Sequence, residues 1–329
     1  MKSNYRYIVK AFMAMAVIAG TTSCDDFLDR EPMSSISPET YYSTAAQLEA
    51  NLNDEYPNVL PSFGQWTYGI FGEDKGTDNQ IEVNANDRYT QDRWKVPHSE
   101  SDNWKFERIY RINFFLSEAL PKFGEDMSGS QNTISGSVAT IKHYIGEMYF
   151  LRAYEYFKKL QLFGDFPIIN QPLADEMEAL REASKRFPRN EVARFIISDL
   201  DKAYAYMSDV DMATTRINKD VAMLVKSRVA LFEATWLQNF KGTAFVPGGE
   251  GWPGASLHNN YQYPSGNIDN EVKYFLEQAV EASKLVADKY KGSLTENTGV
   301  LQQSADDPSN PYFDMFAQED LSDVKEVLL

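Results

Sequence analysis

Between Ser135 and Phe163 the chain carries apolar or aromatic residues at Ile141, Tyr144, Ile145, Met148, Tyr149, Phe150, Leu151, Tyr154, Tyr156, Phe157 and Leu160. On a helix these positions cover most of the circumference. A helix apolar nearly all round cannot lie on a surface; it needs neighbours on several sides. The run Phe163-Gly164-Asp165-Phe166-Pro167 ends it, because Gly and Pro break a helical period. The rest of the fold must therefore be arranged around this segment.

The sequence supplies further helices on either side. Ser37-Pro38-Glu39-Thr40 reads as a helix start, with Ser as N-cap and Pro at the first position. That helix is expected to run through Tyr41, Leu48 and Leu52 and to stop before Pro57. A second is predicted from about Ser101 to Leu120, with Trp104, Ile109, Ile112, Leu116 and Leu120 inward and Pro121 and Gly124 as its end. Others are predicted over Asn190–Met207, Asn218–Phe240 and Asp269–Tyr290. Residues 57–100 and 241–267 read as irregular, rich in Gly, Asp, Asn and aromatics. No convincing run of alternating residues suggests strands, so the fold class is mainly α. Successive helices pair through short or medium loops, which suggests stacked helical hairpins of solenoid type.

Charge and length narrow the function. The 329 residues hold 48 acidic against 32 basic side chains, a net charge of −16. Binding a phosphate backbone needs a surplus of Lys and Arg, so no nucleic-acid partner is expected. Hydrophobic residues make up 43 % and charged residues 24 %, which argues against disorder along the whole length. No apolar run reaches the roughly 18 residues of a membrane-spanning helix.

Residues 1–23 have the layout of a cleaved secretory signal: Lys2, Arg6 and Lys10, then the apolar stretch Ala11–Ala19, then small and hydroxyl residues. The single cysteine, Cys24, follows directly, where a bacterial lipoprotein carries its lipidated N-terminal residue. Free thiols are uncommon in exported proteins, which favours lipidation over an incidental cysteine. Thr21 is polar where such signals usually hold an apolar residue. Without residues 1–23 the chain is more acidic still and would repel anionic headgroups, so acyl chains would have to make the membrane contact. Residues 24–329 are then the mature domain. The chain stops in the apolar triplet Val327-Leu328-Leu329 and is expected to be the N-terminal part of a longer protein.

Catalytic and metal motifs are scarce. The histidines, His98, His143 and His258, match no metal-ligand spacing, and His143 lies in the most apolar helix, where a packed core role is favoured. One cysteine excludes a cysteine zinc cluster. Gly249-Glu250-Gly251-Trp252-Pro253-Gly254 fits G-x-G-x-x-G, but a dinucleotide site needs a βαβ unit around it, and none is present. Neither a metal nor a cofactor is implied. Glu73, Asp74 and Asp78 read as a solvated acidic loop or a weak calcium site. Loop aromatics are more suggestive. Sugars present flat C–H faces that stack on Trp and Tyr, while Asp, Asn and Gln take their hydroxyls. Trp66, Tyr68 and Trp94 sit among such residues, as do Trp252, Tyr261 and Tyr263. Candidate ligand contacts are Trp66, Trp94, Trp252 and Tyr261; the alternative is that these rings pin their loops to the body. Trp104 and Trp236 have helical spacing and are expected in the core. Glu147 and Arg152, charged on an apolar helix, are expected to be structural and paired.

Several segments together resemble one family, the SusD/RagB outer-membrane nutrient-binding lipoproteins of Bacteroidetes. Cys24-Asp25-Asp26-Phe27-Leu28-Asp29-Arg30-Glu31-Pro32 is similar to its C-x-D-F-L-D-x-x-P start. Trp104…Tyr110…Ile112-Asn113 resembles its W…Y…I…N helix. Gly146-Glu147…Phe150-Leu151-Arg152-Ala153…Tyr156-Phe157…Phe163-Gly164-Asp165-Phe166-Pro167 resembles its most characteristic stretch, with Met148 in place of the usual small residue. Ile197-Ser198-Asp199-Leu200 and Ser227-Arg228-Val229-Ala230-Leu231…Trp236 complete the set. The resemblance implies an α-α superhelix of tetratricopeptide-like helix pairs with long irregular loops. It also implies a lipid anchor at Cys24, a position on the outer membrane facing the cell exterior, and a TonB-dependent SusC-like transporter as partner. Asp25-Asp26 resembles a surface-export signal of that phylum. Family members bind glycans, sometimes peptides, and are not enzymes; part of their ligand surface lies beyond residue 329. Two other readings stand beside a binding lipoprotein: a helical glycan-degrading enzyme, against which the poor histidine inventory counts, and a helical-repeat adaptor without a ligand, against which the loop aromatics count.

Overall fold

The architecture follows from how the chain surrounds its most apolar helix. A computed structural model describes residues 41–61, 103–124, 126–208, 215–301, 303–304 and 306–329. Helix α1, Ala45–Val59, is started by a reciprocal cap between Thr44 and Gln47. The expected start at Ser37-Pro38 lies outside the described residues. The expected stop before Pro57 is corrected: the helix runs on to Val59. Pro57 falls in the last turn, where its missing N–H forfeits one bond, and the fully buried Leu48, Leu52 and Val59 hold the turn to the core. Each such burial is worth about 1.5–3 kcal/mol.

Helix α2, Glu107–Phe123, starts later than expected and contains Pro121 in its last turn; Gly124, at φ 103°, ends it. Trp104 lies before the helix. Its ring meets Phe163 and Phe166 edge-on, with centroids 4.9 Å away in each case, and this clustering draws the segment out of helical register. The half-buried Trp104 is thus a lateral brace rather than a helical core residue.

Helix α3, Val138–Phe163, is the expected apolar helix. Most of its residues from Ile141 to Leu160 are buried. The short α4, Met177–Ala183, is surface-bound. Then come α5, Arg189–Tyr206, α6, Lys219–Asn239, α7, Ile268–Tyr290, and the short α8, Pro311–Ala317. Asn218, Asn267 and Asn310 cap α6, α7 and α8 by accepting hydrogen bonds from first-turn N–H groups. Among the described residues there is no strand; extended pairing is limited to the bridges Thr44–Ser135 and Phe166–Phe187.

Ion pairs reveal how the long helices run. Arg189 at the start of α5 pairs with Glu233 near the end of α6. Lys289 near the end of α7 pairs with Asp220 at the start of α6, and Lys241 just after α6 pairs with Asp269. Neighbouring helices α5, α6 and α7 are therefore antiparallel, as are α3 and α5, where His143 meets Ser208 and Arg152 meets Asp199. From Tyr42 onward this packing makes one unit. The fold is mainly α, built from tetratricopeptide-like helix pairs with long irregular connections, as expected.

Two features of α3 explain its place. At Gly146 a Cβ would lie 2.8 Å from Met207 N and 2.9 Å from Ala203 O, so only glycine admits the end of α5 so closely. Its buried charges are paired across helices. Glu147 accepts from Arg216 (2.6 and 2.8 Å) and from the Tyr56 hydroxyl (2.7 Å). Arg152 donates to both oxygens of Asp199 (2.6 and 2.8 Å), to Asn113 Oδ1 and to the Asn170 carbonyl. The expected pairing of both residues is met through neighbouring elements, not with each other. His143 is buried, bonded to the Ile217 carbonyl and to Ser208, as a packed core histidine is.

Candidate functional site

The turn after α3 organises one end of the helices. Gly164 adopts φ 67°, and a Cβ there would stand 3.3 Å from Arg189 Nη1. Asp165 then reaches two separate elements. Its Oδ1 accepts the Arg189 N–H at the start of α5 (2.9 Å), and its Oδ2 accepts the indole N–H of Trp252 (2.7 Å). Burial raises the Asp165 carboxyl above the usual range, against the pull of those two donors. Phe166 is fully buried beneath Trp104, Phe106 and Phe163. The Phe163–Pro167 run thus stops α3, caps α5 and anchors a distant loop.

That loop is 241–267. Trp236 donates its indole N–H to the Phe245 carbonyl (3.1 Å), Tyr261 donates to Asn190 Oδ1 (3.1 Å), and Tyr263 donates to the Pro247 carbonyl (2.6 Å). Beneath it, Glu271 accepts from Arg194 (2.7 and 2.9 Å), Asn190 and the Ser265 N–H. Burial works to raise this carboxyl, but those hydrogen bonds outweigh it and hold it below the usual range.

Between the end of α3, the start of α5, the end of α6 and the loop lies a cavity of about 530 Å³. Phe163, Trp236, Phe245 and Trp252 give it aromatic walls, and Asp165, Arg186 and Arg189 give it polar ones. The Arg189 guanidinium sits 4.1 Å over the Trp236 ring while paired with Glu233 (2.9 Å), so one face of that indole is fixed. Phe245 is 62 % exposed. Such rings beside fixed polar groups are the chemistry that stacks a sugar face and orients its hydroxyls.

The sequence-predicted residues divide. Trp252 lines the cavity yet is only 5 % exposed, held by Asp165. Tyr261 packs on Trp252 at 5.6 Å but lines a separate cavity of about 350 Å³. Both are anchored as loop pins would be. Trp66, Tyr68, Trp94, the acidic group Glu73, Asp74 and Asp78, His98 and Cys24 lie outside the described residues. Trp236 corrects an expectation: it is on α6 but half-exposed, because it stands in the last turn where the helix leaves the core. Sequence reasoning missed Trp236, Phe245, Arg186 and Arg189. Only the position of Trp236 directly before a Gly/Pro-rich loop hinted at the site. The G-x-G-x-x-G match lies in turns and a short 3₁₀ helix, Pro253–Ser256, with no preceding strand. Among the described residues no group of three or more His, Cys, Asp or Glu could hold a metal.

The chain is 25 % identical over 253 residues to SusD-like protein P2 of Formosa agariphila, covering 73 % of this chain and 46 % of that one. It is 25 % identical over 233 residues to SusD-like protein P25 of the same organism, covering 65 % and 41 %. A solved SusD-like carbohydrate binding protein from Bacteroides vulgatus superposes with a TM-score of 0.42 at 14 % identity, over 78 % of this chain and 47 % of that one. The chain spans less than half the length of these relatives. Residues 26–231 match the SusD-like family described as starch-binding associating with outer membrane, and the chain belongs to that family.

Proposed function

We propose that this protein is a surface-exposed lipoprotein that captures oligosaccharides and passes them to a TonB-dependent SusC-like transporter in the outer membrane. The observation that carries the binding part is the cavity walled by Trp236, Phe245 and Trp252, at the end of the helices from which the long loop departs. Family membership supports a glycan ligand and an outer-membrane setting. In this reading the helix pairs are a rigid scaffold, and loops carry recognition. Trp66 and Trp94 are proposed as further stacking contacts, and Tyr261 as a support for the loop that bears Trp252. The protein acts by binding and not by turnover.

The anchor is assigned to Cys24. Burying acyl chains contributes about 0.8 kcal/mol per CH₂, so a multiply acylated cysteine holds stably where a bare N-terminus would not. Cys24→Ala should move the protein from membranes to the soluble fraction or block its processing. Unchanged fractionation would remove the anchor from this account. The binding role is tested by calorimetric titration of the mature chain with a panel of neutral and charged oligosaccharides. Saturable binding without release of shorter products is expected. Product release would establish an enzyme, and absence of heat with every glycan would favour the adaptor.

A further inference from the structure

Arg186 stands at the rim of the aromatic cavity, on the segment between α4 and α5. Its backbone carbonyl is held by His258 Nε2 at 2.7 Å, and its guanidinium lies 4.6 Å over the Trp104 ring. The side chain is exposed, and among the described residues its guanidinium forms no close ion pair, although its charge also acts on the Asp165 carboxyl across the cavity. The other charges at the cavity are engaged. Arg189 is paired with Glu233 (2.9 Å). Asp165 spends one oxygen on the Arg189 N–H and the other on Trp252. The neighbouring Lys185 pairs with Glu182. In a chain of net charge −16, the one charge left open at this aromatic cavity among the described residues is therefore positive.

A guanidinium is planar and offers parallel N–H donors that match carboxylate and sulfate oxygens two at a time. The cation–π contact with the Trp104 ring, 4.6 Å from its centre, holds the group in place beside the cavity. Resting on the reading of this cavity as the glycan site, we propose that its ligand is an acidic oligosaccharide, with Arg186 clamping an anionic substituent on a sugar whose ring lies on Phe245 and Trp236. The substituent is a uronate carboxylate or a sulfate ester.

The test titrates the mature chain with oligogalacturonate, a sulfated galactan oligosaccharide and maltoheptaose, at low and high salt. One acidic probe should bind roughly 10- to 100-fold more tightly than the neutral one, in keeping with a charge-assisted pair, and should weaken as salt rises. Arg186→Gln should bring that probe down to the neutral level with melting unchanged. Whichever acidic probe binds distinguishes carboxylate from sulfate. Equal or tighter binding of maltoheptaose, lost in Phe245→Ala, would overturn the acidic preference and leave the cavity as a glycan site. Acidic binding that persists in Arg186→Gln would overturn the clamp. Failure of all probes would overturn the glycan reading itself.

Discussion

The middle of α3 and the loop end of the same bundle handle charged and aromatic residues in opposite ways. Around α3 the charges that enter the interior are paired, Arg152 and Glu147 across to other elements and Glu155 with Lys158 and Lys159 of its own helix. Arg152 meets Asp199, and Glu147 meets Arg216 and Tyr56. The rings there are sealed: Tyr156 is fully buried, with its hydroxyl both donating to and accepting from the backbone of Ile169. At the loop end, Arg186 lies open, Phe245 is 62 % exposed, and Trp236 shows part of its ring to a cavity. A group with all its partners inside the protein has nothing left to offer a ligand. A group with spare donors or an uncovered face can bind something else. The comparison separates scaffold from recognition surface without reference to sequence motifs: of the family-like residues, Gly146, Glu147 and Arg152 fall on the scaffold side, while Phe163, Asp165 and Trp236 line the cavity.

The sharpest way to break this contrast is Arg152→Ala. The change strands Asp199, which is fully buried, without its bidentate partner. Breaking one side of a buried pair costs about 3–5 kcal/mol. Thermal or chemical denaturation should show that loss, with glycan affinity of the remaining folded protein unchanged. A stable variant without binding would move Arg152 to the recognition side.

A smaller effect is expected at Gly146→Ala. The added methyl would press on Met207 N and Ala203 O, both backbone atoms that cannot swing aside. Overpacking of this kind costs about 1–3 kcal/mol. Denaturation midpoints should fall accordingly. A variant as stable as wild type would mean that the ends of α3 and α5 have room to part.

How much of this was legible from sequence depends on whether the signal is local. The periodicity of α3 predicted a helix from about Ser135, against an observed start at Val138, because apolar periodicity and burial coincide there. Prolines misled: Pro57 and Pro121 were expected to end helices, and each sits inside a last turn, where tertiary packing outweighs one missing N–H. Trp104 kept helical spacing yet lies outside α2, since its ring gains more from Phe163 and Phe166 than from the helix. The cavity was not legible because its walls come from three separate stretches of the chain, near Phe163, near Arg186 and from Trp236 into the loop that follows it. Composition pointed, through Trp252, to a loop that lines the cavity. It could not distinguish a ring held by Asp165 from one facing the cavity.

The central claim is that recognition occurs at the exposed aromatic wall and not in the helical core. It is tested most directly by titrating the double variant Trp236→Ala/Phe245→Ala with the oligosaccharide that binds wild type best. Stacking on aromatic rings contributes about 0.5–1.5 kcal/mol per ring beyond burial. The account predicts a loss of roughly tenfold or more in affinity, with a cooperative melt retained. Wild-type affinity in the double variant would contradict it and place the glycan elsewhere on the protein.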